Sequence, residues 1–267
     1  MKVSVIVAAA GSGRRFGGKR NKIFERVDGR PMFLRTLELF VNRDDVCQTI
    51  LVIRDEDEAE VTERFGGNLG FMGVRIVTGG AQRTDSIRKA LACVDEQADL
   101  VAVHDAARPC VSALWIDAVF AEAERTGAAI LACPVHGTLK KVRTTTRRGD
   151  GPVPTLGGEP LPGTAIKQRK DREIVETLPR EELWEAQTPQ VFARQALMDA
   201  YANAADAATD DAALVEASGR TVHVVMGDPR NLKITVPRDL AAASAMIKTL
   251  PKPKPTRDAN PFGEAQW

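Results

Sequence analysis

The residues best suited to chemistry lie in a glycine-rich and basic segment near the start of the chain, residues 9–22. An Ala-Ala-Gly-Ser-Gly run is followed by five cations within nine residues: Arg14, Arg15, Lys19, Arg20 and Lys22. Glycines let the backbone turn sharply and approach a ligand, and free N–H groups in such a turn bind anions. Lysine and arginine neutralise phosphate charge. The segment therefore predicts a loop that binds nucleotide phosphates, with a basic surface turn as the alternative.

Two familiar phosphate loops fit this segment poorly. The dinucleotide pattern G-x-G-x-x-G fails because Phe16 occupies the third glycine position, and the P-loop pattern fails because Arg20 replaces the hydroxyl residue that would hold magnesium. The pattern A-A-G-x-G-x-R with Lys22 seven residues later fits. It resembles the signature loop of nucleotidyltransferases that couple a nucleoside triphosphate to a phosphorylated sugar or polyol.

Composition narrows the class of ligand and the compartment. The chain has 267 residues, is 43% apolar and 27% charged, and has a formal net charge of +1. These values predict a globular enzyme without nucleic acid or membrane partners, and no stretch approaches the roughly 20 apolar residues of a membrane span. Basic residues concentrate in 1–35 and 137–172, which suits small polyanions. The four cysteines are far apart, which argues against zinc and predicts a reducing, cytoplasmic location.

Alternating strand and helix patterns would position the phosphate loop. Residues 3–8 have the length and β-branched content of a strand buried in a parallel sheet. The alternation predicts an α/β fold with a Rossmann-like, doubly wound, mostly parallel sheet. Three predicted strands end in glycines or charges, at 9–22, 79–86 and 105–108, and ligands of such sheets bind at that edge.

The apolar patterns and capping residues also predict individual strands and helices. Strands are expected at 48–53, 74–77, 99–104, 128–135, 221–226 and 232–236. Helices are expected from residue 31, at 114–126, at 193–204, from 209 or 210 to 218, and at 237–249. Thr84, Asp85 or Ser86 would cap a further helix, and the acidic run 55–63 would form a solvated helix face. Trp115 and Trp184 are expected in the core.

A change of composition at Gly137 marks a second region. Residues 149–163 contain four prolines and five glycines, which form neither a regular helix nor a long strand. We expect an arm at 137–185 with a flexible basic insertion at about 147–168 and a returning strand at 172–178. The α/β core would then comprise 1–136 and 186–250, and the proline-rich residues 251–267 would form a mobile tail.

A series of short motifs makes the resemblance specific. In chain order they are the glycine loop with Lys22, Asp85-Ser86, His104-Asp105-Ala106-Ala107-Arg108-Pro109, Pro134-Val135-x-x-Thr138-x-Lys140, Thr188-Pro189-Gln190-x-Phe192, Thr209-Asp210 and Asn231-x-Lys233-x-Thr235. Over about residues 3–245 the chain resembles the 2-C-methyl-D-erythritol 4-phosphate cytidylyltransferase family of the non-mevalonate isoprenoid pathway. That resemblance implies that CTP and 2-C-methyl-D-erythritol 4-phosphate give 4-diphosphocytidyl-2-C-methyl-D-erythritol and pyrophosphate, with Mg²⁺ as cofactor.

Three features depart from the family pattern. Asn21 stands before the loop lysine, where the family often has proline. The arm is longer than usual, so residues 143–172 contain an insertion. The proline-rich tail also lies outside the pattern.

The resemblance also implies roles for individual residues. Charge on the reacting phosphates would be stabilised by the catalytic residues Arg15, Lys22, Arg180 and Lys233. The CTP site would comprise Ala9, Ala10, Gly11, Gly13, Gly80, Ala81, Ser86 and Asp105, and Asp105 would also hold the metal. The polyol phosphate would contact Arg108, Thr138, Arg180 and Lys233.

Simpler structural roles compete for some of these residues. Ser86 could be a plain helix cap, and Arg108 could be the ion-pair partner of Asp105. His104 is expected to be structural, because it still belongs to a strand. Asp210 and Asp211 are expected to cap a helix rather than bind a ligand.

In the family the arm crosses a two-fold axis and supplies Thr138 and Arg180 to the neighbouring subunit. The resemblance thus implies a homodimer with exchanged arms. Three alternatives compete with this function. A ribitol-5-phosphate cytidylyltransferase shares nearly every motif, whereas a sugar-1-phosphate nucleotidyltransferase using UTP or GTP is disfavoured by the His-Asp-Ala-Ala-Arg-Pro element. The third, a nucleotide-binding regulatory module without catalysis, is disfavoured because Arg15, Lys22, Asp105 and Lys233 occur together.

Overall fold

The computed structural model describes residues 1–252 except 12, 14, 18–19, 149–154, 157–158, 161–167 and 205–207, with the backbone alone at 147–148, 155–156, 159–160 and 168–169. The predictions for Arg14, Lys19, most of the 147–168 insertion and nearly all of the tail therefore lie outside the described residues. The chain divides into two compact units, Met1–Cys133 with Ala186–Trp267, and Pro134–Glu185.

Thirteen strands and seven α-helices are present among the described residues. The strands are β1 (Val3–Ala8), β2 (Arg26–Val27), β3 (Arg30–Pro31), β4 (Val46–Ile53), β5 (Val74–Thr78), β6 (Leu100–Asp105), β7 (Ala128–Pro134), β8 (Leu139–Arg148), β9 (Thr155–Leu156), β10 (Glu159–Pro160), β11 (Gln168–Leu178), β12 (Trp184–Ala193) and β13 (His223–Met226). The helices are α1 (Met32–Leu37), α2 (Glu58–Phe71), α3 (Arg83–Leu91), α4 (Ala113–Thr126), α5 (Arg194–Ala202), α6 (Asp211–Ala217) and α7 (Asp239–Ile247). Short 3-10 helices span Lys22–Phe24 and Asp55–Asp57.

The first unit is built on a seven-stranded sheet in the order β13-β7-β12-β6-β1-β4-β5. Strand β1 pairs in parallel with β4 and β6, β4 with β5, and β7 with β13, whereas β12 is antiparallel to β6. The sheet confirms the predicted α/β, mostly parallel, Rossmann-like architecture. None of the helices in the described part of the chain is long and apolar enough to cross a membrane.

Helices cover both faces of this sheet because its strands are apolar on both faces. On β1, Val3, Val5 and Val7 pack into one buried cluster, which includes side chains of α1, α2 and α4. Ile6 points the other way and packs with side chains of α3, α5 and α6. Side chains alternate between faces along a strand, so a continuous apolar run is what a doubly covered strand requires.

Helix α4 shows how closely local sequence can specify an element. Ser112 Oγ accepts a hydrogen bond from the backbone N–H of Leu114 (3.3 Å) at the start of the helix, and Gly127 follows its last residue with a φ of 83°. A hydroxyl N-cap and a left-handed glycine are the preferred helix ends. Ile116, Val119 and Phe120 recur at helical spacing and are buried. The predicted span, 114–126, is confirmed to within one residue.

Two predictions about secondary structure are wrong. Residues 232–236 form no strand, because their polar groups bind other loops: Ile234 N–H donates to Ala107 O (2.8 Å), and Ile234 O accepts from Lys22 Nζ. Helix α3 begins at Arg83 after an N-cap at Gln82, so Thr84, Asp85 and Ser86 lie inside the helix. Asp85 Oδ2 accepts from Gln82 N–H (3.2 Å) and so supports the helix start from within.

Two burial predictions are also wrong. The acidic run 55–63 is not uniformly solvated, because Asp57 is buried and paired with Arg54. Trp184 is 41% exposed and is not a core residue, whereas Trp115 packs partly against the apolar cluster and beneath Arg230. Apolar neighbours in sequence indicate burial only when the element itself faces the core.

The second unit, Pro134–Glu185, is an antiparallel ribbon of β8 and β11. The predicted returning strand 172–178 is the second half of β11. Its base is closed by a hydrogen bond from Val135 N–H to Leu183 O (2.9 Å). Ile174 is 66% exposed, and Val142 and Val175 are also exposed.

Candidate active site

A cleft of about 760 Å³ opens at the carboxyl ends of β1, β4, β5 and β6. Its walls are the segments that follow these strands, 8–11, 54–56 and 79–83, together with Asp105 at the end of β6. Lys22 and Lys233 complete the lining from two other loops. This is the edge at which open α/β sheets bind ligands, as the strand ends predicted.

Three charged side chains meet in this cleft. Lys233 Nζ lies 2.6 Å from Asp105 Oδ2, and Lys22 Nζ donates a hydrogen bond to Ile234 O (2.6 Å). Lys22 and Lys233 are far apart in the sequence, yet the fold brings both of them into this cleft. The arrangement leaves a net positive cleft, as a polyphosphate ligand requires.

The electrostatics of these groups follow from burial and mutual charge. Burial, with the nearby charge of Lys233, lowers the pKa of Lys22 to about 8. Burial alone would raise the pKa of Asp105, but the cations Lys233, Arg83 and Arg108 hold it at about 2. Asp105 is thus a carboxylate at every physiological pH, and Lys22 titrates just above neutrality.

The turn after β5 presents backbone groups to the cleft. Ser86 Oγ accepts from Gly80 N–H (3.0 Å) and donates to Gln82 O (3.0 Å), which fixes the turn from inside α3. A Cβ on Gly79 would lie 2.7 Å from Ser86 Oγ and 2.8 Å from Ala10 Cβ. Only glycine fits there, because the turn packs directly against the phosphate loop.

A buried ion pair supports the same turn from behind. Arg83 Nη1 and Nη2 bind Asp211 Oδ1 and Oδ2 at 2.9 and 2.5 Å, and Asp211 is fully buried. Tyr201 Oη also donates to Asp211 Oδ1 (2.5 Å). Asp211 is thus an anchor for Arg83, whereas Asp210 is the N-cap of α6, accepting from Ala213 N–H (3.1 Å).

Arg108 and His104 lie behind the cleft wall. Arg108 is buried, donates to Asn231 O (2.6 Å) and has its Nε 3.7 Å from Asp105 Oδ2, so it forms the expected ion pair. His104 Nε2 donates to Arg108 O (3.1 Å), so its Nδ1 accepts from Thr188 Oγ1 (3.1 Å). Burial lowers the pKa of His104 to about 4, so the ring is neutral and structural.

The structure brings most of the predicted residues into the cleft. The residues that line it are Ala9, Ala10, Gly11, Lys22, Gly80, Ala81, Ser86, Asp105 and Lys233. Gly13 lies outside this lining with a φ of 59°, and a Cβ added to it would lie 3.8 Å from Lys22 Cγ. Arg15 is exposed and is likewise not among the lining residues.

Thr138 and Arg180 belong to the second unit, where both are exposed. The Arg180 guanidinium donates to His136 O within that unit.

Several lining residues were not among the predicted site residues: Arg54, and Gly79, Gln82 and Arg83 within the predicted strand-end segment 79–86. Arg54 directly follows a correctly predicted strand next to β1, so the strand-end rule could have found it. The same rule marks the segment that contains Arg83, but it could not predict the pairing of Arg83 with Asp211, 128 residues away.

Asp105, the predicted metal ligand, has a position and charge that would allow it to hold a metal. It is an ionised strand-end carboxylate that lines the cleft. Mg²⁺ is commonly bound by one or two carboxylates together with substrate phosphates. Within the described ranges there is no cluster of three or more His, Cys, Asp or Glu side chains that could hold a metal by itself. The donor set therefore fits a magnesium ion that is bound together with a phosphate ligand.

Comparison with known proteins identifies the family of this chain. The family model for 2-C-methyl-D-erythritol 4-phosphate cytidylyltransferase matches residues 3–149 and 160–249. The proteins of that name from Rhodopirellula baltica and Alkaliphilus metalliredigens are 40% and 35% identical, over 92% of this chain in each case and 94% and 93% of theirs. The crystal structure from Thermus thermophilus aligns with a TM-score of 0.68 at 31% identity, over 93% of this chain and 100% of that one. The chain therefore belongs to the 2-C-methyl-D-erythritol 4-phosphate cytidylyltransferase family.

Proposed function

We propose that the cleft transfers the cytidylyl group of CTP to 2-C-methyl-D-erythritol 4-phosphate, giving 4-diphosphocytidyl-2-C-methyl-D-erythritol and pyrophosphate. The main support for this proposal is that Lys22, Lys233 and Asp105 line one cleft, whose opposite wall is the backbone turn 79–81. Membership of the family supplies the identity of both substrates. The presence of Arg15, Lys22, Asp105 and Lys233 together speaks against a nucleotide-binding module without catalysis.

Cytosine is read mainly by backbone groups. Ala9 and Ala10 on one wall and Gly80 and Ala81 on the other line the cleft, and Ser86 holds the second wall in shape. A backbone carbonyl accepts from the amino group of cytosine but cannot pair with the carbonyl oxygen of uracil. A buried mismatch of that kind costs about 1–3 kcal/mol.

The phosphates react by in-line attack of a substrate phosphate oxygen on the α-phosphorus of CTP. Such a reaction needs alignment of two anions and stabilisation of charge on the non-bridging oxygens. Lys22 supplies that charge from the cleft wall, and Arg15, which is exposed on the same loop, is the second candidate. Gly11 and Gly13 let the loop approach the triphosphate.

The polyol phosphate binds at the Lys233 side of the cleft. Lys233 is ion-paired with Asp105 and can exchange that partner for a phosphate, whereas Arg108 is held behind the wall by Asn231 O. Thr138 and Arg180 would contribute from the arm of a second subunit, in a homodimer with exchanged arms. The exposed apolar residues Val142, Ile174 and Val175 on the arm favour such a partner.

Magnesium would be held by Asp105 and the phosphates of CTP. Bound there, it would neutralise charge on the triphosphate and leaving pyrophosphate. The chain's own contribution is to keep Asp105 ionised through Lys233, Arg83 and Arg108. We place the reaction in the cytoplasm, where free cysteines are stable.

Pyrophosphate release tests the assignment directly. The purified protein is assayed with CTP or UTP and with 2-C-methyl-D-erythritol 4-phosphate, ribitol 5-phosphate or no acceptor. We expect CTP and the branched acceptor to be preferred in kcat/KM, by at least about fivefold over UTP for one unpaired group in the base site. Comparable efficiency with UTP would contradict the base-reading role of the two backbone walls, and preference for ribitol 5-phosphate would reassign the acceptor.

A further inference from the structure

We infer that Asn21 is a positioning residue that fastens the end of the phosphate loop to the cleft walls and so sets the place of Lys22. The inference deepens the proposed function, since its kinetic part rests on cytidylyl transfer. The contacts on which it is based do not depend on that function. Asn21 is 2% exposed and directly precedes Lys22.

Every polar atom of the Asn21 side chain is engaged by the protein. Nδ2 donates to Asp57 Oδ2 (2.6 Å) and approaches Ala9 O at 3.5 Å. Oδ1 accepts from Ile23 N–H (3.3 Å) and caps the short 3-10 helix that begins at Lys22. A side chain with its donors and acceptor used internally is arranged to hold its surroundings rather than to bind a ligand.

Asp57 links Asn21 to a second cleft residue. It is 5% exposed and receives Arg54 Nε on Oδ2 (2.8 Å) and Arg54 Nη2 on Oδ1 (2.7 Å). Arg54, Ala9 and Lys22 all line the cleft. The buried Asn21–Asp57 contact therefore joins three separate wall segments: the end of β1, the end of the phosphate loop and the segment after β4.

Lys22 is consequently held at both ends. Asn21 fixes its backbone, and its ammonium donates to Ile234 O (2.6 Å). A displacement of about 1 Å in a catalytic group can lower a rate by about 10²-fold, so loss of the backbone anchor should affect turnover even with Lys22 still present. Arg54 should move less, because its two bonds to Asp57 do not involve Asn21.

A neighbouring contact provides a matched control. Arg20 pairs with Glu60 at the same junction of loop and helix, but both side chains are substantially exposed. Exposed ion pairs contribute little, because water and side-chain entropy offset the attraction. Glu60→Gln removes that pair, together with the pair that Glu60 forms with Arg64, and leaves the buried contact intact.

The kinetic experiment compares Asn21→Leu, Asn21→Ser and Glu60→Gln with the unaltered protein. Asn21→Leu should lower kcat about 10- to 100-fold while the Kd for CTP changes less than about threefold, because the loss concerns placement of Lys22. The kcat of Asn21→Ser should lie between those of Asn21→Leu and the unaltered protein, because serine can still accept from Ile23 N–H but cannot reach Asp57. Glu60→Gln should keep kcat within about twofold.

A double-mutant cycle with Lys22→Ala separates positioning from general destabilisation. If Asn21 acts through Lys22, Asn21→Leu should lower kcat by less than about twofold further in the Lys22→Ala background. Equal losses in both backgrounds would overturn the positioning role, as would an Asn21→Leu variant with unchanged kcat.

Hydrogen exchange of the ligand-free protein tests the anchor independently of activity. Peptides covering residues 20–24 should exchange at least about tenfold faster in Asn21→Leu and Asn21→Ser than in Glu60→Gln, because the cap on Ile23 N–H or the link to Asp57 is lost. Unchanged exchange would overturn the anchor whether or not the protein turns over CTP. Absence of transfer by the unaltered protein would instead overturn the proposed function and leave the exchange result to decide the anchor.

Discussion

The two units of this chain differ in how far their strands bury apolar side chains. In the first unit β1 lies between β4 and β6, and its apolar side chains are buried on both faces. In the second unit β8 and β11 pair with each other alone among the described residues, and Val142, Ile174 and Val175 on them are exposed. A two-stranded ribbon is marginally stable in water by itself. The first unit thus carries its own core, whereas the described part of the arm leaves apolar side chains exposed.

The proposed chemistry divides along the same line. Lys22, Lys233 and Asp105 belong to the first unit and have well-defined partners there. Thr138 and Arg180 belong to the arm. If the arms are exchanged, damage to the first unit and damage to the arm should affect different sites of one dimer.

The largest effect should come from the cleft itself. Lys22→Ala removes the charge that we propose stabilises the reacting phosphates, and loss of one such contact typically costs a factor of about 10²–10³ in kcat. Steady-state kinetics should show this loss in kcat. The Kd for CTP should change little, because the charge matters most in the transition state. Lys248→Ala, at an exposed lysine after α7, is the control and should leave kcat unchanged. More than about a tenth of the original kcat in Lys22→Ala would contradict its role.

The arm can be tested by mixing two inactive proteins. In a dimer of one Lys22→Ala chain and one Arg180→Ala chain, exchanged arms would give one site with both defects and one site with none. Equal mixing with free exchange of subunits makes about half of the dimers mixed, so activity should recover to about a quarter of the original. Recovery is measured after subunit exchange has been verified by labelled chains. No recovery would place Arg180 in the site of its own chain.

Alkaline pH should lower the kcat/KM of the unaltered protein. The pKa of Lys22 lies at about 8, so the side chain is charged below that pH and neutral above it. The pH profile of kcat/KM, which reports the free enzyme, should fall by about tenfold per pH unit above the pKa. Lys22→Arg keeps its charge in this range, so its residual activity should lack that limb. An unchanged limb in Lys22→Arg would assign the titration to another group.

The smallest effect concerns the packing behind the base site. Gly79→Ala places a Cβ within 2.8 Å of Ser86 Oγ and Ala10 Cβ, which should raise the KM for CTP several-fold and destabilise the fold by about 1–3 kcal/mol. Gly67→Ala in α2 meets nothing within 4 Å and should stabilise the fold by about 0.5–1 kcal/mol. Thermal unfolding and KM measured on both variants separate crowding at the site from a general effect of adding a methyl group. Equal behaviour of the two variants would contradict the close approach.

The sequence predicted the elements whose physics is local. β1 was recognisable from its apolar run, and α4 from its periodic apolar face and its capping residues. β12 was not predicted, because Pro189 within it argues against a central strand. In the structure pairing with β6 starts at Gln190, just after that proline, so no hydrogen bond of the ladder with β6 is required of it.

The site was predictable where it depends on strand ends, and not where it depends on long-range pairs. The loop, the turn 79–81 and Asp105 follow from the strand-end rule, and they line the cleft. The contacts Asn21–Asp57 and Arg83–Asp211 join residues 36 and 128 positions apart, and no local pattern marks them. Asp57 in particular lies within an acidic run whose other members resemble ordinary solvated charges.

The position of the arm between two adjacent strands has a consequence for how the chain can change. β7 and β12 are neighbours in the sheet, and the ribbon between them is closed at its base by the Val135–Leu183 hydrogen bond. Residues can therefore be added or removed at the far end without altering the register of any strand in the sheet. The entropic penalty of a longer connection grows only with the logarithm of its length. The family model leaves residues 150–159 unmatched, within this connection. Arm length is in this sense a variable that evolution or an engineer can adjust separately from the sheet.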